Sequence, residues 1–287
     1  MRAYEDLVIE AENRGLKISE VVYQNEMENL QQSEQVLFQR MGKNLKVMRE
    51  SVATGLSSKR LSLSGLVGGD AFKVEERRKT GKSLIGNQLS GAIARALAVA
   101  EVNACMGKIV AAPTAGSCGV IPAVLLTVEE TCQVSEREIL LALFTAAGLG
   151  VIIAERANVS GAEGGCQAEI GSAAAMAAAA AVELAGGTPR QTADAAAIAM
   201  KSMLGLVCDP VGGLVEVPCV KRNATGATIA IAAAEMALSG VKSAIPIDEV
   251  IDAMGEIGKQ MPCALKETAQ GGLAMTPTGR RIQADFL

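Results

Sequence analysis

Residues 170–185 read IGSAAAMAAAAAVELA, and residues 227–238 read ATIAIAAAEMAL. Neither stretch alternates with the two-residue rhythm of a strand, and neither confines its apolar residues to one narrow stripe. Ala is the strongest helix former, and a helix that is apolar on most faces belongs at the centre of a bundle. The helix signals extend outward from these two segments. Ser135-Glu136-Arg137-Glu138 is a capping box ahead of the apolar run Ile139–Ala154. Thr188-Pro189-Arg190-Gln191 is a second one, with Pro at the first helical position. After Pro246, the residues Ile247, Val250, Ile251, Met254 and Ile257 share one helical face, and Pro262 follows its end. Only Val215-Glu216-Val217 and Lys108–Ala112 offer short strand candidates. The expected fold is all-α or nearly so, an Ala-rich helical bundle.

The composition agrees. The 287 residues include no Trp, two Tyr and four Phe, so Ala, Leu, Ile, Val and Met must fill the core, as closely packed helices allow. Residues 1–60 are polar, charged and helical in pattern; from Leu61 the texture becomes Gly-punctuated and Ala-rich. This predicts an N-terminal helical arm over 1–60 and a main domain over 61–287, with a soft boundary near Ser57–Ser64.

Several classes of function are disfavoured. The net charge is −4 with no basic block, so nucleic acid is not an expected partner. The first residues, MRAYEDLVIEAENRG, lack the apolar segment of an export signal. Mean hydropathy is positive, yet the Ile139–Ala154 run is shorter than a comfortable bilayer span and contains Gly148 and Gly150. The expectation is a cytoplasmic protein with no membrane contact. Seven Cys, irregularly spaced, point to reduced thiols rather than a disulfide framework. The chain has no His, which removes the commonest general base and every His-metal site. Acid–base chemistry is left to Lys, Asp, Glu, Tyr, Ser, Cys or a metal-bound water.

Three Gly-bearing segments interrupt the helices: Ala112-Pro113-Thr114-Ala115-Gly116-Ser117-Cys118-Gly119; Val159-Ser160-Gly161-Ala162-Glu163-Gly164-Gly165-Cys166-Gln167; and Cys208-Asp209-Pro210-Val211-Gly212-Gly213, continuing to Val217-Pro218-Cys219. Gly lets a backbone approach a ligand, but it also serves tight helix crossings. In the first loop, free N–H groups suit a carboxylate, with Thr114 and Ser117 as hydroxyl donors or as simple caps. Cys166, Cys208 and Cys219 are separated by 41 and 10 residues, unlike the C-x-x-C pairs of zinc ribbons or ferredoxins. On spacing alone, ordinary buried thiols remain the leading reading. Cys105, Cys132 and Cys263 lack the Gly context, and Cys118 is ambiguous. Gly81-Lys82-Ser83 resembles the end of a phosphate loop, but Glu76 stands where that loop needs Gly. No GxGxxG follows a strand, and no Lys-centred pyridoxal-phosphate motif is present.

Five blocks together resemble the iron–sulfur-dependent L-serine dehydratases. They are SGLVGGDAFKV (64–74), APTAGSCGVIPAVL (112–125), SGAEGGCQAEIGSAAAMAAAA (160–180), CDPVGGLVEVPCVKRNATGA (208–227) and MPCALKETAQGGLA (261–274). The resemblance spans about Leu61 to Ala274, with the blocks in the family's order. It implies a 4Fe-4S cluster held by Cys166, Cys208 and Cys219, with one iron open to substrate and no pyridoxal phosphate. The Gly-rich loops would then converge on a cluster site. In single-chain members a Cys near the C-terminal end can occupy the open iron, and a regulatory domain precedes the catalytic one. The last residues here, TPTGRRIQADFL, hold no Cys, and nothing equivalent to that domain precedes residue 60. The chain is therefore similar to the alpha chain of the two-chain type, which implies a separate beta chain.

The implied reaction converts L-serine to pyruvate and ammonia, with a cluster corner acting as a Lewis acid on the hydroxyl. Implied substrate-binding residues are Thr114, Gly116, Ser117 and Asn223. The resemblance leaves the base unidentified; Lys266 and Glu267 are the leading polar candidates for acid–base work, with a structural ion pair at least as favoured a reading. Asp209 and Glu163 lie near the ligands in sequence and could hydrogen-bond the cluster environment or cap a helix, whereas Asn223 and Arg222 could orient substrate or simply satisfy backbone groups. The alternatives are a cluster-dependent L-cysteine desulfidase, another hydro-lyase and a non-catalytic cluster-bearing subunit.

Overall fold

The computed structural model describes residues 2–286. Its helices are α1 (Tyr4–Arg14), α2 (Ile18–Leu30), α3 (Glu34–Ser57), α4 (Asp70–Lys79), α5 (Gly86–Ala104), α6 (Val120–Cys132), α7 (Glu136–Arg156), α8 (Gly161–Gly164), α9 (Ser172–Leu184), α10 (Pro189–Lys201), α11 (Cys219–Leu238), α12 (Ile247–Gln260) and α13 (Pro277–Phe286). Among the described residues there is no strand, only an isolated bridge between Cys208 and Lys266, so the fold is all-α. Neither strand candidate forms a strand: 108–112 is loop, and 215–217 is bend and turn. The Val211 N–H donates to the Val217 carbonyl and closes a turn, leaving 215–217 without a ladder partner.

Helix α9 explains the layout. Every residue from Ser172 to Leu184 is buried. Helices α6, α7, α10 and α11 enclose it. Methyl side chains let helix axes come close, which a wall of Leu would prevent. Helix α5 packs on α6 and α11, and α3 and α4 cover α5. At the α3–α5 crossing the backbones nearly touch: a Cβ on Gly55 would lie 2.3 Å from the Ala98 carbonyl oxygen. Helices α1 and α2 lie against α10 and α7. Their buried Tyr4, Leu7, Val8, Ile18 and Val21 join the same core as α9. Three of the few rings, Tyr23, Phe38 and Phe144, gather where α2, α3 and α7 meet.

The helix ends follow the sequence signals. Ser135 accepts from the Glu138 N–H, and Glu138 accepts from the Ser135 N–H at 2.7 Å. Thr188 and Gln191 exchange the same pair of bonds at the start of α10. In α12, Ile247, Val250, Ile251 and Met254 are buried and Ile257 half-buried. Helix α7 extends beyond the apolar run, to 21 residues. It and residues 115–132 are long and apolar enough to cross a bilayer, and 61% of each is buried by neighbouring helices. Burial at the bundle centre accounts for that composition.

Candidate functional site

Cys166, Cys208 and Cys219 come from three different segments. Cys166 precedes a π-helical turn, Gln167–Gly171, that runs into α9. Such turns often re-aim side chains at functional sites. Cys208 lies in an extended segment paired with the 265–267 stretch: its N–H donates to the Leu265 carbonyl at 2.8 Å, and its carbonyl accepts from the Glu267 N–H at 2.9 Å. Cys219 opens α11. All three are buried and free of disulfides. Burial pushes the Cys166 thiol up to about 11 and the Cys219 thiol up to about 12. Cys208 is also raised, first by burial and then by the charges of Cys166 and Cys219. The charges of Cys166 and Cys219 thus lie within electrostatic reach of Cys208. Cys118 is buried elsewhere, beneath the Val99 carbonyl, and none of the three acts on it. Cys132 and Cys263 are exposed, and Cys105 is half-buried.

Among the described residues, no three Cys, Asp or Glu side chains close around a single ion. A cubane makes a different demand: each Cys holds a different iron, so its sulfurs stand farther apart than the ligands of one ion.

The surrounding residues divide into clamps and exposed functional groups. Asn223, buried on α11, donates to the Gly116 carbonyl at 2.8 Å and the Cys219 carbonyl at 3.0 Å, and accepts from the Gly119 N–H at 2.9 Å. Its amide is committed to backbone, and it fastens the 113–119 loop to the turn that carries Cys219. The fully buried Ser117 is likewise engaged with Thr114 inside the loop. The N–H groups of Ala115 and Gly116 meet no backbone acceptor among the described residues. Arg222 donates to the Asp209 carboxylate at 2.9 Å and the Val207 carbonyl at 2.8 Å. Its charge also favours the Cys166 thiolate, against the effect of burial. The other oxygen of Asp209 accepts from the Leu273 N–H at 2.8 Å, tying the 271–275 segment to the site.

Glu169 is the group that sequence reasoning missed. It lies one turn past Cys166, and its carboxylate accepts from the Thr114 hydroxyl at 2.7 Å. Burial raises its pKa, and the nearby Glu267 charge adds to the rise. The sequence signal was faint: an acid three residues beyond a Cys, in a segment otherwise made of small residues. Glu267 itself is exposed in a left-handed conformation at φ 62°, and its charge also bears on Cys208. Lys266 lines an adjoining cleft of about 900 Å³ between α8 and α12, in which Glu163 also lies. Among the described residues Lys266 and Glu267 do not form an ion pair with each other. Glu163 is exposed and accepts from Asn158.

Residues 13–274 match the family described as serine dehydratase alpha chain, a span that begins well before the first signature block at 64. The chain belongs to the serine dehydratase alpha-chain family. It is 52% identical over 282 residues to the probable L-serine dehydratase, alpha chain, of Bacillus subtilis (strain 168), covering 98% of this chain and 94% of that one. It is 45% identical to the L-serine dehydratase, alpha chain, of Peptoniphilus asaccharolyticus, covering 96% and 94%. The L-serine dehydratase of Streptomyces coelicolor is 39% identical; there 96% of this chain matches only 60% of the longer protein. Family membership places the three thiols, the 113–119 loop and Glu169 within the matched span.

Proposed function

We propose that the chain is the catalytic alpha chain of an L-serine dehydratase, converting L-serine to pyruvate and ammonia. The observation that carries this reading is the meeting of Cys166, Cys208 and Cys219 beside an open backbone loop, in a member of this family. The donor set fits a 4Fe-4S cluster. Three buried sulfurs form a soft set, and as free thiolates they would repel one another and lack solvation, so bound iron is what would hold them ionised. When bound, a cluster with one iron not held by protein supplies Lewis acidity toward the serine hydroxyl.

The chain's own residues have separate tasks. The free N–H groups of Ala115 and Gly116 receive the substrate carboxylate. Asn223 and Ser117 hold that loop in place. Arg222, locked by Asp209, keeps a positive charge beside Cys166. Of Lys266 and Glu267, Glu267 is the one whose charge bears on the thiol site, and it is assigned removal of the Cα proton. Loss of hydroxide from Cβ then gives aminoacrylate, which tautomerises and hydrolyses to pyruvate and ammonia. A beta chain completes the enzyme, in keeping with relatives named as alpha chains and with the longer Streptomyces protein.

Anaerobic iron and sulfide analysis of the wild type and of Cys166→Ala, Cys208→Ala and Cys219→Ala, with pyruvate assayed from L-serine in the presence of the beta chain, tests the proposal. Each variant should lose bound iron and activity while keeping its helical signal. A full complement of iron in all three would remove the ligand assignment. Sulfide release from L-cysteine far exceeding pyruvate formation from L-serine would reassign the substrate.

A further inference from the structure

The three family loops leave room for one carboxylate. A Cβ placed on Gly116 would lie 3.0 Å and 3.2 Å from the two carboxylate oxygens of Glu169. A Cβ on Gly161 would lie 2.7 Å from Glu169 Oε2, and the same point is 3.3 Å from the Cys208 sulfur. Glycines from two separate signature blocks therefore face each other across this side chain, and the second also faces a thiol. Neither has the positive φ that would explain its identity by backbone conformation. The space they leave is occupied by Glu169.

The hydrogen bonding of Glu169 is incomplete in an informative way. Oε1 accepts from Thr114 Oγ1, and among the described residues Oε2 accepts from no protein donor. Glu169 is half-buried, and two buried carboxylates elsewhere are more completely bonded. Glu101 accepts three backbone N–H groups at the start of α4, from Gly69, Asp70 and Ala71. Glu75 holds Arg78 through both oxygens. Among the described residues Glu169 has no cation: Arg222 is spent on Asp209 and Val207, and its effect falls on Cys166. A carboxylate held on one side, open on the other and lacking a counter-charge is built to receive a positively charged donor.

We infer that Glu169, oriented by Thr114 and admitted by Gly116 and Gly161, binds the α-ammonium group of the amino-acid substrate. The inference rests on the serine dehydratase reading and assigns that substrate's third anchor. Glu169 touches the same loop whose Ala115 and Gly116 N–H groups are free. The ammonium and carboxylate sites are therefore neighbours, as they must be for two groups carried on one Cα. The open oxygen faces the Cys208 side, which directs the substrate side chain toward the thiols. Specificity for an amino acid over the corresponding hydroxy acid then resides in this residue, because a hydroxyl group brings no charge to Glu169.

The test uses the reconstituted two-chain enzyme under anaerobic conditions, with Glu169→Gln and Glu169→Asp beside wild type. Two competitive ligands are compared: D-serine, which carries the ammonium, and glycerate, which replaces it with a hydroxyl. Binding is read both as inhibition and as perturbation of the visible absorption spectrum. Glu169→Gln should keep its iron and sulfide, lose about 100-fold in kcat/KM for L-serine and bind D-serine at least roughly tenfold more weakly. Its affinity for glycerate should stay within about twofold of wild type. Glu169→Asp should show the same pattern with smaller losses, and it carries the test if the Gln variant fails to load or fold. Equal weakening of both ligands, or weakening of neither, overturns the assignment. A wild type that binds both ligands but makes no pyruvate sinks the dehydratase reading alone, since the spectral contrast between D-serine and glycerate still tests Glu169.

Discussion

The centre of the bundle and its loop-bearing end are built on opposite principles. Around α9, thirteen consecutive residues are buried, and most of them are Ala. Apart from Glu183, which accepts from the Ser19 N–H, stability there comes from close packing. At the loop end, buried Cys166, Cys208, Cys219, Asp209 and Asn223 sit within a few residues of glycines, and hydrogen bonds from single side chains hold separate segments together. The comparison teaches that the fold and the site depend on different residues. Core changes should act on stability, and site changes should act on ligand binding.

The largest effect belongs to the core. Ala178→Leu adds three carbons to a fully buried position with helices on all sides. The expected cost is about 3 kcal/mol or more, read by chemical denaturation of the apo protein. A loss below about 1 kcal/mol would mean that the centre has unfilled space and would break the comparison. Asn223→Ala comes next, at the boundary between the two regions. It strands the Gly119 N–H and the Gly116 carbonyl, both of which bond to the Asn223 amide, while the Cys219 carbonyl keeps its helical partner. An expected loss of about 2–4 kcal/mol should come with reduced iron retention, because the same amide fastens the loop to Cys219. Unchanged stability would show that these backbone groups find other partners.

The two regions were also unequally legible in the sequence. The Ala stretches, the boxes at Ser135 and Thr188, and the face following Pro246 are local patterns, and each became the expected helix. The strand candidates misled because short β-branched runs also suit loops whose hydrogen bonds go to turns. At the site, the three cysteines stood out through their glycine context and the family blocks. Glu169 did not, because its meaning depends on Gly116 and Gly161, which lie far from each other in the chain and meet only after folding. Asn223 could be read either as a substrate ligand or as a partner for backbone groups, because sequence shows an amide's capacity but not where it is committed.

Gly116→Ala separates site from fold more finely. The three atoms nearest the new methyl belong to the Glu169 carboxylate, which must give by a few tenths of an ångström. A flexible side chain yields cheaply, so the melting temperature of the apo protein should fall by no more than about 2 °C. The KM for L-serine should nonetheless rise several-fold, with iron content unchanged. A large drop in stability with normal KM would show that the glycine serves packing rather than the carboxylate.

The smallest effect tests whether the bundle centre tolerates Glu183, the buried acid of α9. Glu183, on α9, accepts from the Ser19 N–H at 3.1 Å, while the Ser19 and Thr145 hydroxyl oxygens beside it lack partners. Burial is the main cause of its raised pKa. In the unfolded chain this group ionises first, so its contribution to stability is fully present below the ordinary carboxylate range. That contribution is lost as pH rises toward the folded-state value. Glu183→Gln removes the titration and supplies an NH2 group that the two orphan hydroxyls can accept from. The melting temperature of the Gln variant relative to wild type should therefore increase between pH 5 and pH 8, by about 2 °C. A difference that is flat with pH would mean that Glu183 is stabilised in its charged form by its neighbours. The bundle centre would then be less purely apolar than its composition suggests, and its contrast with the loop end correspondingly weaker.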